Sequence, residues 1–224
     1  MKYSGKLLSR TMLKVIACVS MLADHLCLIL FPDAVFTPYI RETIGRIAFP
    51  LFAYLICEGF IHTRSRTRYF ITVAILAVVS EPLYDMAFSG VWLEFNNQNT
   101  VFTLLFGLFM IMLMDKFSMN YSVQIMLIAI FGTAAYFIKI DYSFWGIICI
   151  GAYYVMKKMP PCLAAGVAVT SLTVGYNSFG AYLALIPLFF YDKSRGTMPP
   201  ALKYAFYVFY PAHLAVLWGI KTFI

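Results

Sequence analysis

Two of the chain's three histidines, His25 and His213, lie inside apolar runs, and each has acidic or proline neighbours that such runs rarely carry. The stretch SMLADHLCLILF (20–31) sets Asp24 beside His25 near the middle of an apolar segment. A carboxylate at the bilayer centre costs roughly 2.5–3.5 kcal/mol on the insertion scale, so ionisable residues at depth mark functional sites. SEPLYD places Glu81 and Asp85 at i and i+4, on one helix face. Pro82 between them frees a backbone carbonyl and permits a kink. Arg46 lies in RETIGRIAFP, Glu58 and His62 form a second i,i+4 pair in ICEGFIH, and His213 follows Pro211 in YVFYPAHL. Histidines and carboxylates in a low-dielectric bundle are candidates for acid–base work. Arg46 is expected to pair with Glu81 or Asp85, because a lone buried arginine is costly. Glu58 and His62, near an interface, can also snorkel. No metal is expected: the deep histidines lack zinc-site spacing. GxSxG, P-loop and GxGxxG patterns are absent.

The elements that must hold these residues follow from composition. The 224 residues are 62% hydrophobic and 12% charged, half the charge of an ordinary soluble domain, which is about 25%. That is too little to cover a water-facing surface. The apolar segments do not alternate with polar residues, which excludes a β-barrel. The sequence predicts an all-α polytopic transmembrane bundle and a single integral-membrane domain over 1–224. Charge clusters and turn residues divide it into nine spans, 11–32, 43–61, 70–89, 100–115, 121–138, 143–156, 162–175, 179–191 and 203–222. Spans six to eight are short for about 30 Å of hydrocarbon. Lys2 to Arg10 followed by an apolar run has the outline of a signal peptide, but no small-residue cleavage site follows, so a retained first helix is expected.

In this division Asp24, His25, Glu81 and His213 lie within about two turns of the midplane. Arg46 and Asp85 lie toward the outside, and Glu58 and His62 at the cytoplasmic end. The net charge of +7 has a topological cause. Lys2, Lys6, Arg10, Arg64, Arg66, Arg68, Lys116, Lys157, Lys158, Lys193, Arg195 and Lys203 fall on one side, against Arg41, Lys139 and Lys221 on the other. Basic residues accumulate in cytoplasmic loops, so the N-terminus is expected inside and, with nine spans, the C-terminus outside. No nucleic-acid partner is expected. Cys18, Cys27, Cys57, Cys149 and Cys162 sit in apolar segments without CxxC spacing and read as packing residues.

LKVIACVSMLADH, GRIAFPLFAYLICEGFIHTR, SEPLYD and FYVFYPAHL, in this order, resemble the TraX family, whose named member acetylates the N-terminus of conjugative pilin. The first block also resembles integral-membrane acyltransferases with a histidine in their first helix. The resemblance implies a bacterial inner-membrane, multi-pass acyltransferase. Its donor would be acetyl-CoA or a related acyl-CoA, and its acceptor an amine reached from the membrane or the outer face. By position it marks Asp24, His25, Gly45, Arg46, Pro50, Glu58, Glu81, Asp85, Pro211 and His213. Amine attack on a thioester needs a base and donors for the developing oxyanion. His25 is expected to be the base, with His213 or Arg46 as donor; a transient acyl-histidine is the other order of events. Asp24 projects about 100° from His25 and is expected to orient His213 or a backbone amide. The CoA head is expected at Arg64, Arg66 and Arg68, with His62 nearby. The rival reading is a proton-coupled transporter or flippase using the same Asp, Glu and His residues as a relay. A scaffold would leave the deep histidines unexplained.

The charge bias generates a topological prediction. Reporter fusions at Ser65 and Lys158 should read cytoplasmic, and one at Asn97 external; an external signal at Ser65 contradicts the assignment.

Overall fold

Ser9 starts the first helix by accepting a hydrogen bond from the Met12 amide, satisfying one of the amides a helix start leaves free. From there α1 (Arg10–Leu30) runs without proline or glycine. The computed structural model describes residues 7–117, 120–193 and 200–223, so Lys2, Lys6 and Arg195 of the charge bias lie outside the described residues. After α1 come α2 (Thr37–Glu42), a 3-10 turn (Gly45–Ile47) and α3 (Ala48–His62). Then follow α4 (Arg66–Phe88), α5 (Thr100–Lys116), α6 (Tyr121–Ile138), α7 (Ser143–Val155) and α8 (Pro161–Tyr176). A 3-10 segment (Phe179–Ala184), α9 (Leu185–Phe189) and α10 (Pro200–Phe223) complete the chain. No strand occurs among the described residues.

Local chemistry sets the boundaries. Ser65, Asn99 and Asn120 cap α4, α5 and α6 through their side chains. Pro161 opens α8, where its missing N–H costs nothing. Lys139 and Asn177 end α6 and α8 in left-handed conformation, at φ 59° and 52°.

Among the described residues, four stretches are long and apolar enough to cross a membrane: Arg10–Leu30, Thr37–His62, Arg66–Phe88 and Tyr121–Ile138. The predicted span 43–61 begins earlier, at Thr37, and is broken between α2 and α3. The predicted span 179–191 is a 3-10 segment followed by five α-helical residues. α7 and α8, at 13 and 16 residues, are shorter than a straight crossing requires. α6 exposes Ile125, Ile130 and Phe137. An apolar helix with so little covered is suited to a lipid surround.

α10 returns to pack on α4 and α1, while α1 lies on α3 and α7 bridges α3, α5, α6 and α8. One end of the bundle is tied by Glu58, which is buried. Arg10 and His62 reach its Oε2 at 3.3 Å each, and Lys193 reaches Oε1 at 3.0 Å. The Tyr54 hydroxyl also donates to Oε1 at 2.9 Å. Beside this hub, the amides of Leu7 and Leu8 donate to the Phe190 carbonyl at 3.0 Å. Midway along α1 the 3-10 turn comes close, and the Ser20 hydroxyl donates to the Ile44 carbonyl at 2.5 Å. A side chain at Gly45 would run into the Asp24 carboxylate, so glycine is required there by approach.

Glu58→Gln should lower the thermal midpoint in detergent by the equivalent of about 1–2 kcal/mol. That is less than the roughly 3–5 kcal/mol of breaking a fully buried pair, because Arg10, His62 and Lys193 keep contact with solvent. Lys193→Met should cost less than Glu58→Gln. An unchanged midpoint for Glu58→Gln contradicts the role of the hub.

Candidate functional site

His25 and His213, 188 residues apart, meet: Nδ1 of His25 lies 2.8 Å from Nε2 of His213. Both are buried, and their rings stack with centroids 5.1 Å apart. Nδ1 of His213 lies 2.9 Å from the Phe209 carbonyl, one turn earlier on α10. A carbonyl only accepts, so this nitrogen carries the proton. With both rings neutral, Nε2 of His213 is then an acceptor, and Nδ1 of His25 must donate to it. The lone pair of His25 is left on Nε2. Phe88 sits edge-on to His25 at 5.2 Å, and Phe209 stacks on His213 at 5.1 Å, fixing both rings. Pro211 contributes by lacking an N–H in mid-helix, which loosens the backbone one turn from His213.

A cavity of about 320 Å³ runs between α1, α3, α4, α5 and α10. Arg10, Lys14 and His62 stand at one end, Met21, Thr100 and Tyr210 at the other, with mainly apolar walls between. On α1 the lining residues Arg10, Lys14, Cys18 and Met21 follow helical spacing, and His25 continues the same stripe. Arg10 to Met21 spans about 16 Å at 1.5 Å per residue. The cavity therefore stops one helical turn short of the histidine pair, below Met21 and Phe209.

The other expected site residues fall into separate groups. Arg46 does not pair with Glu81 or Asp85. Its guanidinium bonds Glu42 at 2.9 Å, one turn earlier, and lies beside the Tyr142 phenol. The break between α2 and α3 brings Glu42 within reach, a partner that reading 43–61 as one span placed in a loop. Glu81 instead accepts from the Asn99 amide at 3.0 Å and from the Asn99 side chain. Asp85 accepts from the Glu94 amide at 2.8 Å. Each keeps one buried oxygen without a hydrogen-bond partner. Asp24 is not bonded to His213; it faces Arg41 at 3.4 Å. Glu58 ties the far end of α1, about 22 Å from His25 by helix rise. Arg64, Arg66 and Arg68 are exposed and outside the cavity lining. Arg66 pairs with Asp115 and lies 4.8 Å over the Phe60 ring.

The residues that sequence reasoning missed had partial signals. Arg10 and Lys14 are one turn apart on the face that carries His25, but Arg10 reads in the sequence only as a topological charge and Lys14, inside the first span, is not singled out. Tyr210 precedes His213 by three residues and so shares its face. Asp141, in the loop between α6 and α7, bonds the Thr100 hydroxyl and the Tyr142 amide. Burial pushes the Asp141 carboxyl above the usual range, against the opposing pull of these bonds. Nothing in the spacing of 139–142 announces that contact.

The comparisons with known proteins agree with the four sequence blocks. A family model described as "TraX protein" matches residues 9–221. The chain is 28% identical over 236 residues to the "Probable fimbrial assembly protein FimC, serogroup H1" of Dichelobacter nodosus, with 95% of each chain covered. No solved structure matches. The matched region runs from the cap of α1 into the last turn of α10 and includes both histidines, and the chain belongs to the TraX family.

Proposed function

We propose that this chain is a membrane-embedded acyltransferase that moves an acetyl or similar acyl group from acyl-CoA to an amine. The observation that carries the proposal is the buried histidine pair, with a lone pair on His25 Nε2, one turn beyond a cavity whose other end is basic. In this reading the Arg10 end faces the cytoplasm of a bacterial inner membrane. Nine segments are embedded, with the N-terminus inside and the C-terminus outside. The polyanionic head of CoA lies against Arg10, Lys14 and His62, and Arg64, Arg66 and Arg68 add long-range attraction. The pantetheine arm follows the apolar walls toward Met21. The acceptor comes from the opposite face, toward which Asp24 on α1 and Glu81 and Asp85 on α4 lie in separate groups. A relative named for fimbrial assembly supports an acceptor amine on a fimbrial or pilus component.

The chemistry then follows from tautomer and placement. His213 accepts the His25 Nδ1 proton and keeps the ring oriented with Nε2 basic. His25 Nε2 takes the proton that the attacking amine must lose and returns it to the departing thiolate. The exclusion of water protects the thioester from hydrolysis.

A second reading rests on the partnerless oxygens of Glu81 and Asp85. Buried carboxylates of that kind suit a proton-coupled transporter or flippase. Acceptor flux in vesicles without acyl-CoA supports that reading; acceptor modification only with acyl-CoA supports the transferase.

Two measurements check the proposal. Purified His25→Ala should lose CoA release from acetyl-CoA and amine by 10²–10⁴-fold, about the range of a lost general base, while still binding CoA. Residual activity should rise with pH as free amine increases, and turnover within a few-fold of wild type contradicts the assignment. Lys14→Gln should weaken CoA affinity by about fivefold, the scale of one partly exposed ion pair. Salt should weaken CoA binding to wild type in the same direction. CoA affinity indifferent to both contradicts a donor head at this end.

A further inference from the structure

Acyl transfer concentrates charge on the carbonyl oxygen, and in a dry site that charge needs a hydrogen-bond donor already in place. The sequence candidates for this task are committed elsewhere. Both His213 nitrogens are engaged, one with Phe209 and one with His25, and Arg46 is held by Glu42. Two hydroxyls line the closed end of the cavity, those of Thr100 and Tyr210. Thr100 donates to Asp141. The Tyr210 hydroxyl is buried and makes no well-aligned hydrogen bond, Thr100 being the side chain closest to serving it, and leaving such a donor unmet costs about 1–3 kcal/mol.

Its position is specific. The Tyr210 ring lines the cavity and stands edge-on to both histidines, with centroids 6.5 Å from His25 and 5.5 Å from His213. It sits three residues before His213 on α10, so one helix turn carries both. Thr100, Tyr84, Asp141 and Glu81 are its polar neighbours. An idle donor lies between the end of the donor cavity and the base.

We infer that the Tyr210 hydroxyl is the oxyanion donor of this site, a role that rests on the acyltransferase reading above. The amine nitrogen attacks the thioester carbon, and the C=O π pair moves onto oxygen, where the Tyr210 O–H donates to it. The pair returns as the C–S bond breaks. His25 Nε2 carries the proton from the ammonium to the CoA thiolate. The products are one amide and free CoA, with no oxidant or other reactant needed. Tyr210 keeps its own proton throughout.

The test uses the full-length protein reconstituted in lipid, with acetyl-CoA and a panel of short peptides bearing free N-termini. Tyr210→Phe keeps the ring and removes only the donor. It should lower kcat by about 10²–10³-fold, the usual effect of one oxyanion-hole donor, while CoA affinity stays within threefold of wild type. Replacing Tyr210 with p-fluorophenylalanine, close to tyrosine in shape but without a donor, should lower kcat by the same factor, whereas 3-fluorotyrosine, which keeps the donor, should stay within threefold of wild type. A structural ring predicts equal activity for these two variants, and the pair decides the question if Tyr210→Phe fails to fold. Active wild type with Tyr210→Phe or the p-fluorophenylalanine variant turning over within threefold overturns the inference and leaves the transferase reading standing. Wild type that binds CoA but releases none from acetyl-CoA with any acceptor overturns both.

Discussion

The hydrogen bond between His25 and His213 joins the first and last helices of the chain, and the site depends on that closure. Each ring alone would be a polar group buried in apolar surroundings, at a cost that must be met by a partner. Together they satisfy each other, and the Phe209 carbonyl breaks the symmetry by fixing which nitrogen bears the proton. A backbone acceptor on α10 thus sets the lone pair of a residue on α1. At this level the rings are held further by Phe209, which stacks on His213 from the same helix, and by Phe88 of α4, edge-on to His25.

Around that bond the bundle separates two kinds of polarity. At the Arg10 end one buried carboxylate, Glu58, gathers Arg10 from α1, His62 from α3 and Lys193 from the segment after α9. At the Leu30 end the deeper carboxylates are Asp24, Glu81 and Asp85, held by Arg41 or by backbone amides. The cavity starts at the first region and points toward the second, and the histidine pair lies between. An anionic donor and an amine acceptor match these two ends in charge. This is why the transferase proposal accounts for both regions, whereas a relay would use only the acidic one.

Much of the fold was legible because hydropathy, charge clusters and turn residues are local signals. Seven of the nine expected segments correspond to single helices, and the cap at Ser9 or the proline opening α8 can be read directly. The misplaced parts were those where backbone geometry departs from a continuous span. The turn at Gly45–Ile47 splits one expected helix and gives Arg46 a partner from its own chain neighbourhood. The segment 179–191 is apolar enough for a span, yet its first half takes the tighter 3-10 form. In the site, the two histidines were visible as polar residues at depth. Their direct contact was not, since sequence gives depth along each helix but not which helices adjoin. Arg10 was hidden by a second function, since charges that orient a protein in a membrane look the same as charges that hold a ligand, and Lys14 lies inside a span, away from the loops that carry the topological charges.

The central claim is that the cavity delivers a thioester to His25. A structure of the protein in lipid with a non-hydrolysable acetyl-CoA analogue tests it most directly. The account predicts the analogue's phosphates against Arg10 and Lys14, its arm along the cavity, and its acetyl group past Met21 beside His25 Nε2. An analogue bound elsewhere, or bound in the cavity with its acetyl group directed away from the histidine pair, contradicts it.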